Sequence, residues 1–192
     1  MAKSNTYKAG KHFLQVPGPT NLPDRILRAM DRPAIDHRGP QFAELSKNIL
    51  ERIKLIFKST DPVVIYPSAG TGAMEASLVN TLSEGDKILM FETGEFARQW
   101  YEAAERFKIK VDFVPGDWRT GADPEITKQK LIADKKHEIK AVLVTHNETS
   151  TGIKSRVEEI RKAIDQTNHP ALFLSLIHIS EPTRPLYISY AV

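Results

Sequence analysis

Three neighbouring stretches decide how this chain folds: Val63-Val64-Ile65-Tyr66, Ser68-Ala69-Gly70-Thr71-Gly72 and Lys87-Ile88-Leu89-Met90-Phe91. The first is a short apolar run rich in β-branched residues and reads as a buried strand. The second is a glycine-containing turn, after which a helix is expected from Ala73 to Leu82. The third is again a strand. Working outward, the rhythm repeats: a helix from Glu95 to Phe107, a strand from Ile109 to Val114, and a helix from Pro124 to Ala133. That helix is opened by Asp123 as N-cap and Pro124 at its first position. A strand from Ala141 to Thr145, a capped helix from Ser155 to Asp165 and a strand from Ala171 to Leu174 follow. Strands alternating with helices of this length predict an α/β fold, a mainly parallel sheet between helices. The strand order is not legible in the pattern.

Upstream, residues 13–23 carry too many prolines for a helix and read as an extended, turning arm. Pro23 then stands where a helix can begin, and Ile26, Leu27 and Met30 recur at helical spacing. Beyond a break at Pro33 to Pro40, Phe42, Leu45, Ile49, Ile53 and Ile56 form an amphipathic pattern, expected to be a core-facing helix stripe.

The bulk properties narrow the function classes. The chain has 192 residues, 41% hydrophobic and 27% charged, ordinary for a globular protein. Its net charge of +3 comes from lysines and arginines interleaved with acids, as in Glu102 to Lys110 and Glu158 to Lys162. No basic stripe marks a nucleic-acid partner. There is no cysteine, which excludes disulfides, thiolate metal sites and cysteine nucleophiles, and the six histidines never fall at metal-ligand spacing. Neither a signal peptide nor a membrane-spanning run is visible, so the expected location is cytoplasmic.

Ligands of parallel α/β sheets bind beyond the carboxyl ends of the strands. The turn Ser68 to Gly72 lies at such a place. Its glycines allow close backbone approach, and the helix start offers free N–H groups and a positive dipole end, which together suit a phosphate. It is neither a Walker A loop nor a G-x-G-x-x-G fingerprint. On this motif alone, a plain strand-to-helix turn and an anion site are both open.

Ser68 to Ala76 (Ser-Ala-Gly-Thr-Gly-Ala-Met-Glu-Ala) resembles the pyridoxal-phosphate (PLP) phosphate loop of class V, fold type I aminotransferases. Other segments resemble the serine–glyoxylate and alanine–glyoxylate branch in the family's order. Val16-Pro17-Gly18-Pro19-Thr20-Asn21 is similar to an N-terminal arm that crosses to a partner subunit. Asp36-His37-Arg38-Gly39-Pro40 is similar to a segment that enters the neighbouring active site. Gly94 to Trp100 matches the region where an aromatic ring stacks on the pyridine. His146-Asn147-Glu148-Thr149-Ser150-Thr151-Gly152 matches the loop whose hydroxyl contacts the PLP ring oxygen. Gly116-Asp117-Trp118 and Asn168 to Leu172 favour the serine–glyoxylate branch. The likeness runs from about Lys11 to Leu174.

This resemblance implies that Ala69, Gly70 and Thr71 hold the phosphate, that Phe96 stacks on the cofactor, and that Thr149 bonds its ring hydroxyl. Read without it, Phe96 is equally a helix-start core residue and Thr149 a simple cap. Arg38 suits a substrate carboxylate, or else forms a surface ion pair. His37 stands where some relatives have Tyr. Trp100, Thr145 and His146 read as structural. The implied organisation is an arm over residues 1–22 and the N-terminal, incomplete part of the large PLP-binding domain over 23–174, with a non-native-looking tail over 175–192. A homodimer acting on small amino-acid and 2-oxo-acid substrates is implied too.

In the family, an Asp in a Val-Asp segment follows the strand ending here at Leu174, and the Schiff-base lysine lies further on in a Ser-Gln-Lys segment. Here Leu174 is followed by Ser175-Leu176 rather than Val-Asp, and no Ser-Gln-Lys occurs, so no residue is assigned as catalytic. From Ser175 the likeness stops, and the text reads as translated sequencing adapter, with a divergent native terminus as the other reading. The expectation is a fragment of a transaminase that moves an amino group from serine, or alanine, to glyoxylate, inactive by itself. The competing readings are a non-catalytic phosphate-binding α/β module and a piece without stable function.

Overall fold

A computed structural model describes residues 20–177. The expected arm lies almost wholly outside the described residues, as do residues 178–192 of the expected tail. The described chain divides into two units, one ending at Lys47 and the other starting at Asn48.

In the first unit, α1 (Asp24–Met30) starts after Pro23 as expected. A turn over Asp36 to Gly39 leads into α2 (Pro40–Phe57), which runs across the unit boundary. The helix forms where its periodicity places it, but the expected core-facing role does not hold. None of its residues is buried, and Leu55 and Ile56 are 78% and 72% exposed. Periodicity reports an apolar stripe; only a covering neighbour turns a stripe into core.

The second unit holds α3 (Gly70–Thr81), β1 (Lys87–Phe91), α4 (Glu95–Arg106), β2 (Lys110–Val114), α5 (Pro124–Ala133), β3 (Ile139–Glu148), the two-residue β4 (Ile153–Lys154), α6 (Val157–Thr167) and β5 (Leu172–Ile177). The expected strand at Val63 to Tyr66 is absent. Val64, Ile65 and Tyr66 are each more than half exposed, with no strand alongside to take their backbone groups. An apolar β-branched run becomes a strand only when a ladder partner satisfies its N–H and C=O groups.

The sheet is parallel apart from β4. β1 pairs with β2 from Lys87↔Lys110 to Phe91↔Val114, and on its other side with β3 at Ile88↔Ala141 to Met90↔Leu143. β3 continues into β5, from Ala141↔Leu172 to Asn147↔Ile177. The last strand therefore passes Leu174, with Ser175 and Leu176 paired to Val144 and Thr145.

Alternate residues of each strand feed two cores. Ile88, Met90, Ala141, Leu143, Leu174 and Leu176 pack on one face against Met74 and Leu78 of α3 and Trp100, Ala103 and Ala104 of α4. Leu89, Phe91, Val142, Val144 and Phe173 pack on the other face against Leu131 of α5 and Ile160 and Ile164 of α6. This two-sided cover explains why β1 and β3 read as continuous apolar runs rather than alternating ones.

Local chemistry sets the helix ends. The Asp123 side chain accepts from the Glu125 amide at 2.8 Å with Pro124 in the first turn, as its spacing predicts. The expected Ser155 cap is corrected. Its helix begins at Val157, and the Ser155 hydroxyl instead donates to the Thr145 carbonyl at 2.9 Å and accepts from the Ala122 amide at 3.2 Å.

Candidate functional site

The order of the strands locates a crevice. From β1 the chain crosses to β2 on one side, then returns past β1 to β3 on the other. Right-handed crossovers in opposite directions put their helices on opposite faces. Thus α4, after β1, and α6, after β3, cover opposite faces, and the carboxyl ends of these two neighbouring strands are the switch point at which sheets of this kind form a ligand crevice.

Two segments line that crevice, and they are knitted together. The first is residues 92–97, leading from β1 into α4; the second is the turn after β3, Glu148 to Gly152. Glu148 is 1% exposed and forms no ion pair among the described residues. Its Oε1 accepts from the Phe96 amide at 3.3 Å, the Ser150 amide at 3.1 Å and the Ser150 hydroxyl at 2.7 Å. Its Oε2 accepts from the Ala97 amide at 3.1 Å. Ser150 Oγ in turn accepts from the Glu95 amide at 2.9 Å, and Thr151 Oγ1 donates to the Thr93 carbonyl at 3.2 Å. The open amides of the first turn of α4 thus supply the countercharge that a cation usually gives a buried carboxylate. Phe96 and Thr149, singled out from the sequence, sit on these two segments. Phe96 is half-buried at the start of α4 against the core, and Thr149 Oγ1 is buried with no hydrogen-bond partner among the described residues.

The glycine segment forms the start of α3. The helix begins at Gly70, a turn earlier than the expected Ala73, with Ala69 as an extended N-cap residue (φ −93°, ψ −176°) that supplies no side-chain cap. Ala69, Gly70 and Thr71 are exposed, and the Gly70 and Thr71 amides fall in the first helical turn, where no intrahelical acceptor exists. A Cβ at Gly72 would collide with Ser68 Oγ and lie 2.6 Å from Ser68 Cβ, so glycine is needed for the approach. The Trp100 indole N–H donates to the Met74 carbonyl at 3.3 Å, tying α3 to α4. Trp100, 2% exposed, is core, as expected.

Other buried polar atoms without a hydrogen-bond partner among the described residues are Thr93 Oγ1 beyond β1 and Thr145 Oγ1 and His146 Nε2 on β3. Burial holds the His146 pKa below the ordinary histidine value, helped by the Lys154 charge and opposed by Glu158. His146 is therefore a neutral buried ring at neutral pH.

His37 and Arg38 belong to the first unit. Both are exposed in the turn before α2, where the Arg38 amide donates to Asp36 Oδ1 at 2.9 Å and the Gly39 amide to the Asp36 carbonyl at 3.0 Å. Among the described residues no group of acidic and histidine side chains could hold a metal ion, and no helix is long and apolar enough to cross a membrane.

Sequence reasoning missed Glu148. Its signal was present: a lone carboxylate at the end of a strongly apolar strand, with no cation adjacent in sequence, must find donors in the fold.

A switch point in a parallel sheet and an uncapped helix start are both features with which α/β enzymes hold phosphate-bearing cofactors. The family model "Aminotransferase class-V" matches residues 12–174, and the chain belongs to that family. It is 46% identical over 168 residues to a serine–glyoxylate aminotransferase of Methylorubrum extorquens, covering 87% of this chain and 42% of that protein. It is 44% identical over 158 residues to an L-aspartate–glyoxylate aminotransferase of Paracoccus denitrificans, covering 82% and 40%. Among solved structures, an aspartate aminotransferase of subgroup IV from Thermus thermophilus superposes with a TM-score of 0.77 at 26% identity, over 85% of this chain and 45% of that one. The chain thus spans less than half the length of these relatives.

Proposed function

We propose that the protein these residues belong to is a PLP-dependent aminotransferase that moves an amino group from serine to glyoxylate, with alanine as the alternative donor. The observation that carries this reading is the pairing of a half-buried Phe96 with a buried, unpartnered Thr149 hydroxyl on two hydrogen-bonded segments at one crevice. The residues fit the cofactor. An unpartnered buried hydroxyl is costly unless a ligand takes it up, and the first turn of α3 offers amides to a phosphate. The similarity to a serine–glyoxylate enzyme supports serine as donor. The non-catalytic module gains no support from relatives named as aminotransferases.

When bound, PLP supplies an electron-accepting ring that stabilises negative charge at the carbon bearing the amino group. The chain's own residues do the rest. The Gly70 and Thr71 amides, Ala69 and the Thr71 hydroxyl would anchor the phosphate. Phe96 would cover one ring face and keep water from it, and Thr149 Oγ1 would hold the ring hydroxyl. Arg38 would pair with the substrate carboxylate and His37 would stand beside it. A homodimer, with this segment entering the neighbouring subunit's site, and a cytoplasmic location go with the reading. With no Ser-Gln-Lys segment and no Val-Asp after Leu174, the chain of these residues is expected to show no turnover. We take residues 175–192 as foreign to the protein; sequencing the gene past codon 174 and finding Val-Asp there supports this.

The test is an amino-transfer assay of the full-length protein with glyoxylate and each of serine, alanine and aspartate. Hydroxypyruvate and glycine formed fastest from serine is the expected result. A faster rate with aspartate would reassign the donor, and no transfer from any of them would contradict the proposal.

A further inference from the structure

We propose that Glu148 is a positioning residue that fixes Phe96 and Thr149 at one separation, so that the two segments clamp a flat, hydroxyl-bearing cofactor as a single body. This rests on the reading of the crevice as a PLP site, and it assigns a part to a residue that touches neither cofactor nor substrate in that reading.

The geometry is specific. Glu148 is the last residue of β3, and its side chain turns back to the start of α4. One carboxylate oxygen collects a donor from α4, the Phe96 amide, and two from its own turn, the Ser150 amide and hydroxyl. Any shift of either segment therefore strains bonds to the same atom. Oε2 holds the Ala97 amide, so the backbone amides on both sides of the Phe96 Cα are bound by one carboxylate. The Gly152 amide donates to the Glu148 carbonyl at 2.8 Å, closing the turn that carries Thr149.

Space confirms the fit. A Cβ on Gly94 would collide with Glu148 Cγ and lie 2.6 Å from both Glu148 Cδ and Ser150 Oγ, so the carboxylate occupies the room a side chain at 94 would take. A carboxylate needed only for solubility would be exposed. One needed only to cap α4 could have come from Gly94 or Thr93 locally, as Asp123 does for α5. Drawing the cap from the end of β3 instead couples two segments that are about fifty residues apart in sequence.

The coupling is testable apart from turnover. Full-length wild type and Glu148→Gln are saturated with PLP, and the induced circular dichroism of the bound cofactor is recorded with its dissociation constant and the melting temperature of each protein. Glutamine keeps the shape and one acceptor but turns a donor toward the Ala97 amide. The expected result is at least a tenfold weaker dissociation constant and an induced band changed by half or more at saturation. A residue with a merely structural part would lower the melting temperature and leave the band at saturation intact; that outcome overturns the proposal. Ser150→Ala, which removes one bond to Oε1, serves if Glu148→Gln does not fold, and a change in the band in the same direction is expected, an unchanged band counting against the coupling. Wild type that binds no PLP refutes the cofactor reading itself. Wild type that binds, with variants indistinguishable from it, refutes only the part given to Glu148.

Discussion

The Trp100 indole donates to the backbone carbonyl of Met74 across 3.3 Å, joining α4, the helix that follows β1, to α3, the helix that opens at the glycine segment. Both side chains are buried in the same core. The first turn of α3, proposed above to anchor the phosphate, is tied to α4 rather than to a strand before it, since residues 63–66 pair with no strand among the described residues.

Trp100→Phe keeps an aromatic ring but removes the indole bond to a Met74 carbonyl that still accepts from the Ser77 hydroxyl, at a cost of about 0.5–1 kcal/mol. Trp100→Ala opens a cavity and costs about 3–5 kcal/mol. Urea unfolding of the full-length protein gives both values, and PLP affinity is expected to fall in the same order as α3 loosens.

Ser155 is fully buried between the Thr145 carbonyl and the Ala122 amide. Ser155→Ala strands both groups and is expected to destabilise by about 1–3 kcal/mol. Gly121→Ala attacks the same place from the other side, because its Cβ would come within 2.9 Å of Ser155 Cα. A denaturation midpoint equal to wild type in either variant contradicts this packing.

Two groups divide the acid limb of stability. Burial keeps the folded His146 pKa below its unfolded value of about 6.5. As pH falls through about 6.5 the unfolded chain takes up a proton that the folded chain resists, and stability declines. Asp134 acts lower. Burial opposes its ionisation, but the Ile139 and Glu138 amides and the His169 ring outweigh it and hold its pKa below the ordinary value. Its contribution is complete above about pH 4 and is lost below that as the carboxylate protonates. The decline of the denaturation midpoint below about pH 6.5 should weaken in His146→Gln, and that below about pH 4 in Asp134→Asn.

The α/β plan, β1, and the α5 cap were legible because each rests on local chemistry: a continuous apolar run, an Asp-Pro start, a 3.6-residue period. The fate of Val63 to Tyr66 and of the α2 stripe was not legible. A run of Val and Ile looks the same whether or not a neighbour arrives to pair it. Phe96 and Thr149 were singled out only by resemblance to a family; Phe96 lies in the first turn of α4 and Thr149 just after β3. Glu148 escaped because its donors come from residues 96 and 97, a juxtaposition that exists only after β1 and β3 pair. His37 and Arg38 were legible only as part of the break from Pro33 to Pro40; that they form a turn in which the Asp36 carboxylate accepts from the Arg38 amide appears only in the structure.

The most direct test titrates full-length wild type and Gly72→Ala with pyridoxal phosphate and with pyridoxal, which lacks the phosphate. If the start of α3 grips the ester, wild type binds the phosphorylated form far more tightly. In Gly72→Ala, whose new Cβ displaces Ser68, that preference should shrink at least tenfold. Equal affinity of wild type for the two ligands, or a preference that survives Gly72→Ala unchanged, would place the phosphate elsewhere and contradict the assignment of this crevice.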